Sequence, residues 1–134
     1  ETRNKMMDKR MKKFEILANE VEEPWQMGVD NPEILFVAFG ATYGALKEAV
    51  DELNKEKSSF GALVYGDIWP FPTKLINELG KNAKKIITIE QNRTGQLESL
   101  INEKTRLVVD GRILKYDGRP LNGDEIVKEY KKLK

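Results

Sequence analysis

Neither cysteine nor histidine occurs among the 134 residues. Without cysteine the chain has no disulfide framework, no thiolate zinc site and no iron–sulfur ligation of its own. Without histidine it lacks the commonest general base and metal ligand, and no nucleophile–His–acid triad can be assembled from it. Chemistry is left to carboxylates, lysines, tyrosines and backbone amides, so catalysis by this chain alone is not expected. A net charge is missing too: 23 basic residues face 22 acidic ones, a balance of +1. No apolar run approaches the roughly 18 residues of a membrane span, and no signal peptide is visible. The expectation is a soluble, cytoplasmic protein with neither a membrane nor a nucleic acid as partner. The first residue is glutamate rather than methionine and lies within polar, helix-forming sequence, which reads as a piece of something longer.

The residues present suit one domain, large enough to bury about two-thirds of its extended surface on folding. The charge is unevenly spread. Residues 1–13 carry Arg3, Lys5, Lys9, Arg10, Lys12 and Lys13 against Glu1 and Asp8, whereas residues 14–46 carry Glu15, Glu20, Glu22, Glu23, Asp30 and Glu33 and no base. A basic run of this kind is either a nucleic-acid arm or a solvated, partner-facing helix. The absence of interleaved aromatics favours the helix.

Met7, Met11, Phe14, Ala18 and Val21 recur in steps of four and three, the stripe of one helix from about Asn4 to Val21. Pro24 and Gly28 break that pattern, and Pro32 introduces the next element. The chain thus divides into a lead-in helix and linker, residues 1–32, and an α/β domain, residues 33–134. Ile34 to Phe39 is continuously apolar, as in a strand buried on both faces of a parallel sheet. A helix over Thr42–Lys55 comes next, with Ala45, Leu46, Val50 and Leu53 inside, and then a strand over Gly61–Tyr65. Pro72 opens the next helix around Leu75, Ile76 and Leu79, and Gly80 is placed to end it. Ile86–Ile89 is a third strand. Thr94 is placed to cap a helix carrying Leu97, Leu100 and Ile101. Leu107-Val108-Val109 reads as a short fourth strand, with Asp110-Gly111 as a hairpin turn before Ile113-Leu114. Asn122 and Glu125 approximate a capping box for the last helix, which buries Ile126, Val127, Tyr130 and Leu133. The rhythm implies a three-layer α/β/α fold with a mostly parallel sheet.

Ligands and partners of such sheets gather beyond the carboxyl ends of the strands, where three loops fall. In Gly40-Ala41-Thr42-Tyr43-Gly44 the backbone at a helix start suits an anion, with Gly40, Thr42 and Gly44 as candidates. That loop lacks the Lys-Ser/Thr of a P-loop and the GxGxxG spacing, and a plain tight turn is the alternative. The segment from Gly66 to Pro72 sets Trp69 and Phe71 among Pro70 and Pro72, beside Asp67. Either it is a rigid partner interface or its rings tuck under the chain's own helices. The third loop packs Glu90, Gln91, Asn92, Arg93, Gly95 and Gln96 into seven positions. It binds something polar, braces a neighbouring domain through a buried network, or caps the next helix. Asp67, Arg93 and Gln96 are the candidates for polar bridging to a partner, Trp69 and Phe71 for apolar anchoring.

Read together, GDIWPFP at Gly66–Pro72 and EQNRTGQL at Glu90–Leu97 resemble the end of the α subunit of 2-oxoacid:ferredoxin oxidoreductases. The helix and strand between the motifs, the Lys9-Arg10 and Lys12-Lys13 lead-in, and the Lys115-Tyr116-Asp117-Gly118-Arg119-Pro120 tail are also similar to that family. The resemblance implies a transketolase C-terminal-like domain. It implies a parent enzyme that oxidatively decarboxylates a 2-oxoacid with coenzyme A, giving acyl-CoA, carbon dioxide and reduced ferredoxin. Thiamine diphosphate and magnesium would lie between an upstream domain of the α subunit and a β subunit, with iron–sulfur clusters and coenzyme A contacts also elsewhere. This chain would hold no cofactor and would serve assembly, with the rest of the α subunit and the β subunit as partners. Many relatives carry an arginine after the second strand where Val64-Tyr65-Gly66-Asp67 stands here, so pyruvate, 2-oxoglutarate and branched-chain oxoacids all stay open as parent substrates. The alternative is a stand-alone regulatory domain binding an anion at Gly40–Gly44. A phosphoacceptor response regulator is excluded, because Phe39-Gly40 stands where that class needs an acidic pair.

Overall fold

Leu35, Phe36, Val37 and Ala38 are fully buried in one strand, Ile34–Phe39, because its two faces meet different layers of helices. The computed structural model describes residues 2–133. In chain order the elements are α1 (Thr2–Leu17), β1 (Trp25–Gly28), β2 (Ile34–Phe39), a 3-10 turn (Gly40–Thr42), α2 (Tyr43–Glu56), β3 (Phe60–Tyr65), α3 (Lys74–Asn82), β4 (Lys85–Glu90), α4 (Gln96–Lys104), β5 (Gly111–Leu114) and α5 (Gly123–Lys132). The sheet runs β1-β3-β2-β4-β5. β1 is antiparallel to β3, with Trp25 opposite Val64, and the other pairings are parallel. Phe36 and Ala38 pack with Leu46, Ala49, Val50 and Leu53 of α2 and Ile126 and Tyr130 of α5. Leu35 and Val37 pack with Ile76 and Leu79 of α3 and Leu97 and Ile101 of α4. An unbroken apolar run was the right signature for such a strand. Phe36, Phe60 and Tyr130 form a ring cluster with centroids 5.3 to 6.0 Å apart.

Several expectations are corrected. Leu107-Val108-Val109 is not a strand, and Asp110-Gly111 is not a hairpin turn. The Asp110 carboxylate accepts from the Ile86 amide at 2.7 Å, and the Asp110 amide donates to the Ile86 carbonyl at 2.8 Å. Those bonds tie the chain to the start of β4 and launch β5 parallel to it. Val108 stands exposed, while Leu107 packs onto α3 at Gly80. Gly80 lies inside α3 rather than ending it, without the left-handed φ of a helix-ending glycine, and a Cβ there would come within 2.7 Å of Leu107 Cδ1.

β1 lies in the segment read as linker. Four residues at the sheet edge leave no apolar run to detect. The linker is further tied down by Glu23, whose carboxylate accepts from the Leu75 amide at 3.0 Å and so serves the first turn of α3. α1 ends at Leu17 rather than Val21, and α3 starts at Lys74, after Pro72. The capping box of α5 is complete: Asn122 Oδ1 accepts from the Glu125 amide at 2.9 Å, and Glu125 Oε2 from the Asn122 amide at 3.2 Å.

Candidate functional site

The loop after β4 is organised around two side chains. Glu90 is wholly buried, and its carboxylate accepts from the backbone amides of Leu97 at 2.8 Å and Glu98 at 3.1 Å and from Asn92 Nδ2 at 2.8 Å. Asn92 Oδ1 accepts from the amides of Thr94, Gly95 and Gln96 at 3.2, 2.8 and 3.3 Å. Five successive amides at the start of α4 are thereby satisfied from within the loop, and the carboxylate sits where the helix dipole favours an anion. Thr94 makes no cap. Gly95 takes that position with a left-handed φ of 68°, a conformation that glycine adopts without strain. Glu90 and Gly95, expected to face a partner, are therefore buried in this chain's own helix start, and Asn92 is half-buried with its oxygen turned inward. Gln91, Arg93 and Gln96 are the exposed members of the motif.

Gln91 spans the point where the strand order reverses. Its Nε2 donates to Thr42 Oγ1 at 3.5 Å, and its Oε1 accepts from the Leu121 amide at 3.3 Å. The crevice that holds ligands in doubly wound sheets is bridged here by that side chain. Thr42, one of the anion-turn candidates, is buried, so its hydroxyl is not presented to solvent. Gly40 is exposed at the start of the 3-10 turn, and Gly44 is exposed in the first turn of α2.

The loop after β3 divides differently. Phe71 and Pro72 are buried, again contrary to the partner-facing expectation. Phe71 stacks on Tyr65 at 4.6 Å, and Tyr65 Oη donates to the Pro72 carbonyl at 3.1 Å. Burial, and then the Glu23 carboxylate, push the Tyr65 phenol above its ordinary pKa. Asp67 is exposed and its carboxylate accepts from the Glu22 amide at 3.3 Å. Pro70 is half-buried after a cis peptide bond. Trp69 keeps 55% of its surface exposed, with Lys104 Nζ 4.7 Å from its ring centroid. Opposite, Met11 and Phe14 of α1, with Ala18 just after it, complete an apolar cleft of about 660 Å³ with Trp69, Pro70 and Phe71. No residue of α1 is buried.

A second exposed aromatic patch was not anticipated. Trp25 is 56% exposed and meets Tyr43 edge to face at 5.7 Å. Its signal was available, since the chain's other tryptophan sits in a segment otherwise read as linker. These surfaces are suited to burying apolar area against another protein surface. Among the described residues no group of three or more acidic side chains gathers as a metal site, and no described helix is long and apolar enough to cross a membrane.

The fold defines a class, the transketolase C-terminal-like α/β domains. A split-gene transketolase, described as an inactive β4 tetramer, shares the fold with a TM-score of 0.59 over 84% of this chain and 42% of its own, at 17% identity. Residues 32–126 match the family described as pyruvate:ferredoxin oxidoreductase core domain II, and the chain belongs to that family. It is similar to subunit alpha of 2-oxoacid:ferredoxin oxidoreductase 2 from Aeropyrum pernix, with 31% identity over 96% of this chain and 20% of the relative. It is also similar to the 2-oxoglutarate:ferredoxin oxidoreductase from Magnetococcus marinus, solved with 2-oxoglutarate, coenzyme A and succinyl-CoA bound. That structure superposes with a TM-score of 0.86 over 98% of this chain and 23% of its own, at 25% identity. The chain spans about one-fifth of the length of these two relatives.

Proposed function

We propose that the chain is a non-catalytic assembly domain of a thiamine-diphosphate-dependent 2-oxoacid:ferredoxin oxidoreductase. The parent would convert a 2-oxoacid and coenzyme A to acyl-CoA and carbon dioxide, passing electrons to ferredoxin. The reading is carried by one observation: both tryptophans are more than half exposed, at 56% and 55%. Tryptophan is costly to leave in water and is enriched where proteins meet. In a chain one-fifth the length of its relatives, the natural cover for Trp25, Trp69 and the apolar stripe of α1 is the rest of the α subunit or the β subunit.

The residues present do not fit the parent's cofactors. Iron–sulfur clusters need thiolates that this chain lacks. A diphosphate–magnesium pair needs outward-facing carboxylates and amides, whereas Glu90 and the first amides of α4 are consumed by one another. Thiamine diphosphate, magnesium and the clusters therefore belong to other domains in this reading.

The test is assembly. With Trp25→Ala and Trp69→Ala introduced into the complete α subunit, association with the β subunit weakens at least about tenfold if one contact worth about 1.4 kcal/mol is lost. 2-Oxoacid-dependent viologen reduction falls with it. Full assembly and activity in both variants would reduce the tryptophans to local packing. Saturable micromolar binding of thiamine diphosphate and magnesium by the isolated chain would overturn the non-catalytic assignment.

A further inference from the structure

The exposed edge of β5 borders a cleft of about 460 Å³, closed by the loop after β4 and the last turn of α5. Arg93, Arg112, Tyr116 and Lys132 line it, with Glu129 as the one acid among its described residues. Arg112, Ile113 and Leu114 all reach the same cleft. Successive side chains of a strand point to opposite faces, so three in a row border one space only where the strand's edge faces it. Among the described residues β5 has β4 on one side and no strand on the other. The cleft therefore adds unpaired backbone groups of an edge strand to its cationic walls.

The positive charge is only partly cancelled. Lys132 is paired with Glu129 at 2.6 Å. Arg112 reaches Glu98 at a loose 3.5 Å, and both side chains keep access to water. Arg93 is exposed and has no ion pair or hydrogen bond to any described residue. Two guanidinium forks remain available, and such forks bind phosphate or carboxylate through paired hydrogen bonds. The volume falls within the roughly 300–1,000 Å³ of small-molecule sites and exceeds what a single phosphate fills.

We infer that this cleft is an oxyanion site for a small metabolite bearing two or more phosphate or carboxylate groups, held by Arg93 and Arg112. The inference is independent of the assembly reading, since none of these residues belongs to the tryptophan-bearing surfaces.

The experiment is a titration of the full chain, ¹⁵N-labelled, with inorganic pyrophosphate and separately with citrate, against sodium chloride at matched ionic strength. Saturable amide shifts confined to Arg93, Arg112 to Leu114, Tyr116 and the last turn of α5 are expected. Tighter binding of pyrophosphate points to a phosphate ligand and tighter binding of citrate to a polycarboxylate. Equal binding leaves the oxyanion assignment standing. Arg93→Gln and Arg112→Gln each weaken binding about tenfold through loss of a charge-assisted pair, and melting temperatures stay unchanged because both side chains are exposed. Shifts that track sodium chloride, that fail to saturate, or that persist at full affinity in both variants overturn the proposal.

Discussion

The loops that leave β3 and β4 depart from the same sheet in the same direction, and both carry side chains too elaborate for a plain connection. The loop after β4 spends its polar groups on itself: Glu90 and Asn92 collect five amides at the start of α4. The loop after β3 buries Phe71 and Pro72 as a foot and leaves Trp69 projecting. A dense run of polar residues and a dense run of apolar ones thus have opposite destinations. A helix start has amides that require acceptors, whereas an indole left in water requires a second surface.

The largest expected effect falls on the inward loop. Glu90→Gln keeps the size but sets an NH₂ against amide donors in a buried site. It should cost about 3 kcal/mol and lower the melting temperature by about 12 °C, both read from thermal and urea unfolding of the chain. A wild-type melting temperature for this variant would break the comparison. Asn92→Ala comes next, at about 1.5 kcal/mol, because the three amides it strands can reach water in part.

Glu33 supplies the contrast of a carboxylate that is solvated rather than buried. Hydrogen bonds from Lys57 at 2.8 Å and then Lys84 at 3.0 Å lower its pKa from 4.5 to about 2. A lowered folded-state pKa contributes stability that is present above pH 4.5 and is lost as the pH falls toward 2. Across that window the wild type should lose more melting temperature than Glu33→Gln, and added salt should shrink the gap. Smallest of all, Trp69→Ala should change the stability of the isolated chain by no more than about 0.5 kcal/mol. A loss as large as that of Glu90→Gln would show that the loop after β3 also turns inward.

Legibility in the sequence tracked how local each cause is. ILFVAF announced a strand buried on both faces, and Asn122 with Glu125 announced a capping box, because both signals lie within one element. The two motif loops were visible as unusual and matched the right family. Their orientation was not visible, because Glu90 meets the amides of residues 97 and 98 only once α4 has folded back over β4. Apolar density alone misassigned Leu107-Val108-Val109, whose neighbour Asp110 is held by Ile86, 24 residues away. β1 was missed because its place is set by β3 opposite it rather than by WQMG itself. Burial of Phe71 and exposure of Trp69, two positions apart, likewise depend on Tyr65 lying beneath one ring, whereas the other meets the Lys104 ammonium and an open cleft.

The hydrogen bond from the Leu75 amide to Glu23, across 52 residues, has a consequence for where the polypeptide can be divided. A fragment opened at Glu33 by protease or by gene fusion would leave the outer edge of β3 bare, the first turn of α3 short of an acceptor, and Tyr65 relieved of a neighbouring negative charge. What reads as a tether is a clasp. Swapping this domain between relatives should therefore be done upstream of Glu22, with the clasp travelling with the sheet it closes.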